Sequence, residues 1–330
     1  MLTKRQNLLE TIRGGHPDRF VNQYEPFHLV LGNPFTDLHN GPILEEGTLC
    51  AKNAWGITFS WPEGMPGEFP LHDEEHLAIR DITNWKESLT VPEVVYPASE
   101  WEPYIKEAES VDRSEQFVTA CVFPGIFEQC HHLMDIPQTM INFYEEPEAM
   151  HELIDCLTDW ELRYAEEICR YLKPDALFHH DDWGSQQSTF ISPEMFKEFF
   201  FPSYKKIYDR YRELGVELII HHSDSYAATL VPMMIDMGID IWQGAMSSND
   251  IPRLIQQYGG KISFMCGIDS AWIDYPGWTR EKVHDVVRNV CQEYEKHYFI
   301  PCATQGLNLS TFPGVYEATS EEIEAYNRTN

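Results

Sequence analysis

The chain has 330 residues, of which 43% are hydrophobic and 23% charged, as is typical of globular proteins with a sizeable core. Its 53 acidic and 24 basic residues give a formal net charge of -29, which repels nucleic acid and anionic lipid. The amino terminus is charged and amphipathic, no run of about 18 apolar residues occurs, and the eight cysteines lack paired spacings. We therefore expect a soluble cytoplasmic protein that binds neither nucleic acid nor membrane.

The first hundred residues are rich in Pro, Trp and Asn and predict elaborated loops, with a helix over 3–13 and weak strands near 27–31 and 57–61. Firmer strands follow at 117–121, 176–179, 216–221, 239–242, 261–266 and 298–302. They alternate with helices at 147–172, 192–214, 226–237, 251–258 and 280–297. Six firm and two weak strands alternating with helices predict a parallel sheet closed into a (β/α)8 TIM barrel, in one domain over residues 1–330. No Gly-x-Gly-x-x-Gly follows a strand, which counts against a dinucleotide-binding fold.

Polar residues stand at the ends of these strands, where barrel enzymes place their chemistry. They are His179-His180-Asp181-Asp182-Trp183, His221-His222-Ser223-Asp224, Trp242-Gln243, Cys266-Gly267 and Pro301-Cys302. Imidazoles, thiols and carboxylates are the ligands that zinc favours, and strand ends converge on one barrel mouth. The sequence therefore predicts a metal site there, although any single histidine can be structural.

Among these residues we expect His221 to be a metal ligand, and His222, which alternation turns to the opposite face, to be structural. Cys302 is a candidate thiolate ligand, whereas Cys266 is either a core cysteine or a further ligand.

Acid–base chemistry is expected from Asp182, with His180 beside it, since a neighbouring carboxylate such as Asp181 raises one pKa of the pair. Asp182 precedes Trp183-Gly184, which resembles a tight turn that would hold the carboxylate over the mouth. Both aspartates can equally be solvated loop acids.

Aromatic and amide side chains provide candidates for substrate binding, although aromatic residues are more often part of a core. The candidates are Trp55, Trp61, Trp183, Gln187 and Gln243.

The chain resembles the uroporphyrinogen decarboxylase superfamily through roughly its carboxyl-terminal two-thirds. The resemblance is carried by Asp181-Asp182-Trp183-Gly184-Ser185-Gln186, by Ile191-Ser192-Pro193-Glu194-Met195-Phe196 with Phe199-Phe200-Phe201-Pro202-Ser203-Tyr204-Lys205, and by the strand ending at His221. It implies a (β/α)8 barrel. The superfamily contains cofactor-free porphyrinogen decarboxylases and zinc-dependent methyltransferases that work with corrinoid proteins or methylated thiols.

True porphyrinogen decarboxylases carry an amino-terminal Arg-Gln-Ala-Gly-Arg signature that binds substrate carboxylates. This chain lacks that signature, and its only arginines before residue 80 are Arg5, Arg13 and Arg19. The chain is therefore closer to the methyltransferase branch, in which a His-x-Cys pair and a later Cys hold zinc. His221 and Cys302 match the first and last of these positions, while Ser223 replaces the middle cysteine.

The resemblance, with this departure, implies a harder zinc site completed by Asp224, Cys266 or a glutamate. The expected activity is a zinc-dependent transfer of a methyl group between a small methylated compound, with an O-methyl aromatic as one candidate, and a corrinoid protein. No Asp-x-His-x-x-Gly corrinoid motif occurs in the chain, so the corrinoid is expected on a separate partner. The alternatives are a cofactor-free decarboxylase of a small acid and a non-catalytic binding barrel.

Overall fold

The computed structural model describes residues 1–65 and 67–329. The strands are β1 (Phe27–Val30), β2 (Thr48–Lys52), β3 (Thr58–Trp61), β4 (Phe69–Pro70), β5 (Phe117–Val122), β6 (Ala176–His180), β7 (Leu218–His222), β8 (Ile241–Gln243), β9 (Ser263–Ile268) and β10 (Phe299–Ala303). The helices are α1 (Lys4–Arg13), α2 (Trp85–Ser88), α3 (Ala98–Glu109), α4 (Ile126–Met134), α5 (Ile136–Glu145), α6 (Pro147–Leu172), α7 (Pro193–Phe199), α8 (Phe201–Glu213), α9 (Val231–Met237), α10 (Ile251–Tyr258), α11 (Ser270–Ile273), α12 (Arg280–Glu293) and α13 (Val315–Thr329).

A seven-stranded parallel sheet forms the centre of the fold, in the order β1-β5-β6-β7-β8-β9-β10. Alternate residues of all seven strands meet in one buried cluster, which includes Phe27, Phe117, Phe178, Ile220, Ile241, Met265 and Ile300. Side chains from both edges and the middle of a sheet share one cluster when the sheet curls around it. The structure is therefore an α/β fold with a curled parallel sheet, as the strand and helix alternation predicts.

The eight-strand count is wrong for the described residues. The weak strand near 57–61 does form, as β3, but it pairs antiparallel with β2 and β4 in a separate three-stranded sheet. The connection from β2 to β3 is a short hairpin, and a parallel pairing needs a crossover of a dozen or more residues. Near the β10 edge, the Ala303 N–H donates to Gln23 Oε1 over 3.3 Å, so the segment before β1 approaches the last strand.

The other face of the sheet packs on the helices, in a second and larger buried cluster. The longest of these helices, α6, spans 26 residues, the same range that the sequence pattern predicts. The helix predicted over 192–214 is interrupted at Phe200 and divides into α7 and α8, with Pro202 in the first turn of α8. Within residues 1–65 and 67–329, no helix combines the length and the apolar character that crossing a bilayer requires.

The interior cluster should dominate stability. Phe178 on β6 is fully buried within it, so Phe178→Ala should lower the free energy of unfolding by about 3 to 5 kcal/mol by leaving a cavity. Chemical denaturation of the two proteins measures this difference. Leu49→Ala is the control, because Leu49 is 74% exposed and its truncation should change stability by no more than about 0.5 kcal/mol. Equal losses in both variants would contradict a packed interior.

Candidate functional site

Strand alternation determines which polar residues face the interior at the carboxyl ends of the strands. Phe178 and Ile220 belong to the interior cluster, so His180 and His222, two residues further along β6 and β7, share that face. The strand register places His180 beside His222 and His222 beside Gln243. Three polar side chains are thus neighbours at the mouth of the curled sheet.

His180, Asp182 and His222 form a group whose possible metal-ligand atoms all lie within 4.8 Å of one another. His222 Nε2 is 3.8 Å from Asp182 Oδ1. The two imidazole rings stack with their centroids 4.4 Å apart. Two imidazoles and a carboxylate constitute a donor set for zinc and other divalent transition metals.

Both histidines of this group have the orientation of their rings fixed through Nδ1. His180 Nδ1 donates to Glu128 Oε2 over 2.9 Å, and His222 Nδ1 donates to Gln243 Oε1. Each imidazole is therefore left with Nε2 for a metal ion, which at His180 would first have to displace a proton. A second hydrogen bond of this kind orients metal-binding histidines and increases their basicity.

The mouth attracts positive charge. Burial lowers the pKa of His180, but the charge of Glu128 and its hydrogen bond, helped by Asp182, raise that pKa to about 10. The Asp224 N–H donates to Asp182 Oδ1 over 2.8 Å. Desolvation of the Asp224 carboxyl and the charge of Asp182 raise the pKa of Asp224 to about 8. A cation at this position, whether a proton or a metal ion, relieves the repulsion among these carboxylates.

Asp181 does not form the expected acid pair with Asp182, because the two side chains point in opposite directions. The Asp181 carboxylate is fully buried and accepts hydrogen bonds from the backbone N–H groups of Phe127 and Glu128, both over 2.9 Å, and from the Tyr204 hydroxyl. It therefore binds the first turn of α4, where a negative charge is stabilised. The pair of neighbouring acids is Asp182 and Asp224 instead.

Helix α4 contributes residues that the sequence analysis missed. Glu128 holds His180, and Glu128, His131 and His132 form a second group with possible ligand atoms within 4.8 Å of one another. Their spacing of three and four residues places them on one side of a helix. Burial lowers the pKa of His131 to about 4 and that of His132 below its usual value, so both rings are neutral. The signal was available as Glu-x-x-His-His directly after a predicted strand.

The faces expected for the two histidines of β7 are reversed in the structure. His221 points toward the helices, where its Nδ1 lies 2.9 Å from the Tyr208 hydroxyl. Its ring stacks on the Trp183 ring, with the two centroids 3.9 Å apart. Trp183 is 1% exposed and donates its indole N–H to the Tyr204 hydroxyl, so it packs the helix layer and presents no surface to a substrate. His222, expected to be structural, lies at the mouth.

The two cysteines also lie on opposite faces of the sheet. Cys266 is buried in the helix-side cluster, which removes it from the mouth. Cys302 is buried in the interior cluster, and its Sγ accepts a hydrogen bond from Gln243 Nε2 at 3.9 Å. It is thus connected to His222 through Gln243, while both candidate ligand groups form without it.

Of the substrate-binding candidates, only Gln243 contacts the group at the mouth. Trp55 is 5% exposed and packs edge-on against Trp160, with ring centroids 5.0 Å apart, as part of the helix-side core. Trp61 lies on β3 and donates its indole N–H to the Met65 carbonyl. Gln187 is exposed in the loop between β6 and α7.

Gly125 precedes α4 and should be essential to the geometry of the site. A Cβ at this position would overlap the Asp181 carboxylate, so Gly125→Ala must displace the start of α4 and with it Glu128. We expect a loss of about 1 to 3 kcal/mol in the free energy of unfolding, the usual cost of overpacking. Gly67→Ala is the matched control, because a Cβ there meets open space. Equal stability of the two variants in thermal unfolding would show that α4 does not depend on this contact.

Comparisons with known proteins agree with this architecture. Among solved structures the chain is similar to a methyltransferase from Methanosarcina mazei, with a TM-score of 0.68 and 12% identity over 100% of this chain and 99% of that one. At this identity the similarity shows a shared fold. A D-psicose 3-epimerase structure determined with D-fructose gives a TM-score of 0.39, with 13% identity over 71% of this chain and 84% of that one. A D-allulose 3-epimerase from Methylomonas sp. gives 0.37, with 8% identity over 72% and 94%.

No curated protein matches the chain. Residues 52–322 match the family model described as uroporphyrinogen decarboxylase (URO-D). Since that match covers most of the sequence, the chain belongs to the uroporphyrinogen decarboxylase family.

Proposed function

We propose that the chain is a zinc-dependent methyltransferase that moves a methyl group between a small methylated compound and a separate corrinoid protein. The observation that carries the proposal is the group of His180, Asp182 and His222 at the carboxyl ends of the strands, with both Nδ1 atoms already hydrogen-bonded. This group takes the place of the expected ligands His221 and Cys266, which face the helices.

The position of His222 changes how the motif aligns with the methyltransferase branch. The pair that reaches the mouth is His222-x-Asp224, rather than His221-x-Ser223. Asp224 then stands at the sequence position of the thiolate in His-x-Cys, beside the group formed by His180, Asp182 and His222. Oxygen ligands make zinc a harder Lewis acid than thiolates do, which suits a methyl donor that is an ether or an alcohol.

The spacing of the three side chains is compatible with zinc. Ligand atoms about 2.1 Å from a tetrahedral zinc ion are about 3.4 Å apart. His222 Nε2 and Asp182 Oδ1 are 3.8 Å apart, and all ligand atoms of the group lie within 4.8 Å of one another. Side-chain movements of about 1 Å would therefore bring them to the spacing of zinc ligands. Three protein ligands leave one position of the tetrahedron for a substrate oxygen, as in catalytic zinc sites.

The bound zinc ion would supply Lewis acidity at the oxygen that loses its methyl group. Glu128 and Gln243 orient the two imidazoles. Asp224 lies beside Asp182, and desolvation and the charge of Asp182 raise the pKa of Asp224 to about 8, which makes Asp224 the proton donor. The oxygen would keep the electron pair of the broken carbon–oxygen bond and take up the proton of Asp224, and a corrinoid partner in its cobalt(I) state would supply the acceptor for the methyl group.

Exposed apolar side chains around the mouth support docking of a corrinoid protein. Each follows the carboxyl end of a parallel strand, and they are Leu31, Phe123, Phe190, Trp272 and Leu309, with exposures of 38% to 46%. Apolar residues gathered on one exposed rim are typical of interaction surfaces. A partner seated there would bring its cobalt toward His222 and Asp182.

The decarboxylase alternative receives less support from the mouth. Its carboxylates are Glu128, Asp182 and Asp224, and the first two are paired with the histidines His180 and His222. Such surroundings repel an anionic acid substrate unless a metal ion neutralises them.

If the metal assignment is right, substitutions of the adjacent residues His221 and His222 should have different effects on zinc content. His222→Ala should lower the zinc content of purified, untagged protein by one equivalent, because a three-ligand site that loses one ligand binds weakly. His221→Gln is the matched control and should retain the zinc of the unchanged protein, since His221 faces Tyr208 and Trp183. Elemental analysis measures both, with circular dichroism to verify folding. Loss of zinc from the folded His221 variant but not from the folded His222 variant would reverse the assignment.

The methyl-transfer assignment requires a partner. The chain alone should leave O-methylated compounds intact, whereas addition of a corrinoid protein reduced to cobalt(I) should produce methylcobalt(III), followed by its visible absorption. His222→Ala should slow this reaction by about 100-fold or more, the scale expected for losing an essential catalytic interaction. Release of CO2 from a small acid by the chain alone, with no methylcobalt from a broad panel of donors, would favour a decarboxylase.

A further inference from the structure

We propose that Glu128, His131 and His132 of α4 form a second divalent-cation site of the zinc class, separate from the group at His180, Asp182 and His222. The two sites adjoin through Glu128, whose Oε2 accepts the hydrogen bond from His180 Nδ1. The proposal does not rest on the proposed function, because the three α4 residues are not its zinc ligands.

The geometry of α4 brings three donors together. Glu128, His131 and His132 each offer an atom within 4.8 Å of the other two. The rings of His131 and His132 are nearly perpendicular, at 87°, with centroids 4.9 Å apart, so they approach a common point from different directions. Two imidazoles and a carboxylate at these spacings form a donor set for zinc.

Unpaired nitrogen atoms provide the independent evidence. His131 is 9% exposed, and its Nδ1 is buried with no hydrogen-bond partner among the described residues. Among the described residues, His132 Nδ1 and His72 Nε2 are also buried without a partner, and the His72 side chain lies against the backbone of His131 and His132. A buried polar atom without a partner destabilises a fold, so several together at one place indicate a missing ligand. A cation satisfies lone pairs that no nearby donor reaches.

The backbone holds these residues in place without a metal ion. Asp181 accepts hydrogen bonds from the first turn of α4, and near its carboxyl end the Ile79 N–H donates to the Leu133 carbonyl over 2.9 Å. A cation bound between them needs little reorganisation of the helix, and rigid elements give precise sites. Such an ion would also fix Glu128 and, through it, the orientation of His180.

Metal counting on the full-length, untagged protein tests the proposal. Protein stripped with a chelator is titrated with Co2+, followed by visible absorption, and with Zn2+, followed by elemental analysis after gel filtration against a weak chelator. We expect two retained equivalents. His131→Gln combined with His132→Gln should remove one equivalent and leave the one that His222→Ala removes.

Two further variants make the result specific. His284→Gln removes a half-exposed imidazole on α12, remote from both groups in sequence and paired with Glu322, and should retain both equivalents. Glu128→Gln should weaken the second site by about 10-fold or more through loss of a ligand, and keeps the proposal testable if the double variant does not fold. The proposal is overturned if the unchanged protein retains no metal, if its single retained equivalent is lost in His222→Ala, or if the folded double variant retains as much as the unchanged protein. A single retained equivalent that the double variant loses and His222→Ala keeps would contradict the proposed function and leave this site in place.

Discussion

The buried carboxylate of Asp181 holds the candidate site together. Its backbone N–H donates to the His222 carbonyl over 3.1 Å, and its side chain accepts from the first turn of α4 and from the Tyr204 hydroxyl of α8. One residue thus joins β7, α4 and α8 at the end of β6. Burial and the charge of Glu128 raise the pKa of Asp181 to about 7, so the hydrogen bonds, which lower it, offset only part of the cost of burying the charge. The position of Glu128, and through it that of His180, follows from this arrangement.

The architecture was largely predictable because α/β folds follow a simple rhythm in sequence. Strands expected at 117–121, 176–179 and 298–302 correspond to β5, β6 and β10 within one residue at each end. The antiparallel sheet of β2 to β4 was missed, since its strands are short and partly exposed and lie in a region rich in Pro and Trp. The local sequence pattern predicts that such a strand exists more readily than it predicts which strand it pairs with.

The details of the site were less predictable, for a reason rooted in the same architecture. Strands of a parallel sheet covered by helices are buried on both faces, so they read as continuous apolar runs. In β7 all five residues are buried, and nothing in Leu218-Ile219-Ile220-His221-His222 tells which parity faces the interior. An error of one residue exchanges His221 with His222. The contributions of α4 were missed for a different reason, because Glu128 lies 52 residues before His180 and the Glu-x-x-His-His pattern alone does not show that α4 reaches the mouth.

The donor set at the mouth also bears on the chemistry that the fold can support. Cys302 lies on the interior face, yet burial raises the pKa of its thiol well above the usual value, and its neighbour Gln243 donates a hydrogen bond to the sulfur. Metal ions bind the thiolate, so this environment disfavours Cys302 as a ligand unless the metal itself displaces the proton. Gln243 instead uses its carbonyl oxygen to orient His222. Nitrogen and oxygen donors then remain, and such a donor set favours harder metal ions than a set that contains a thiolate.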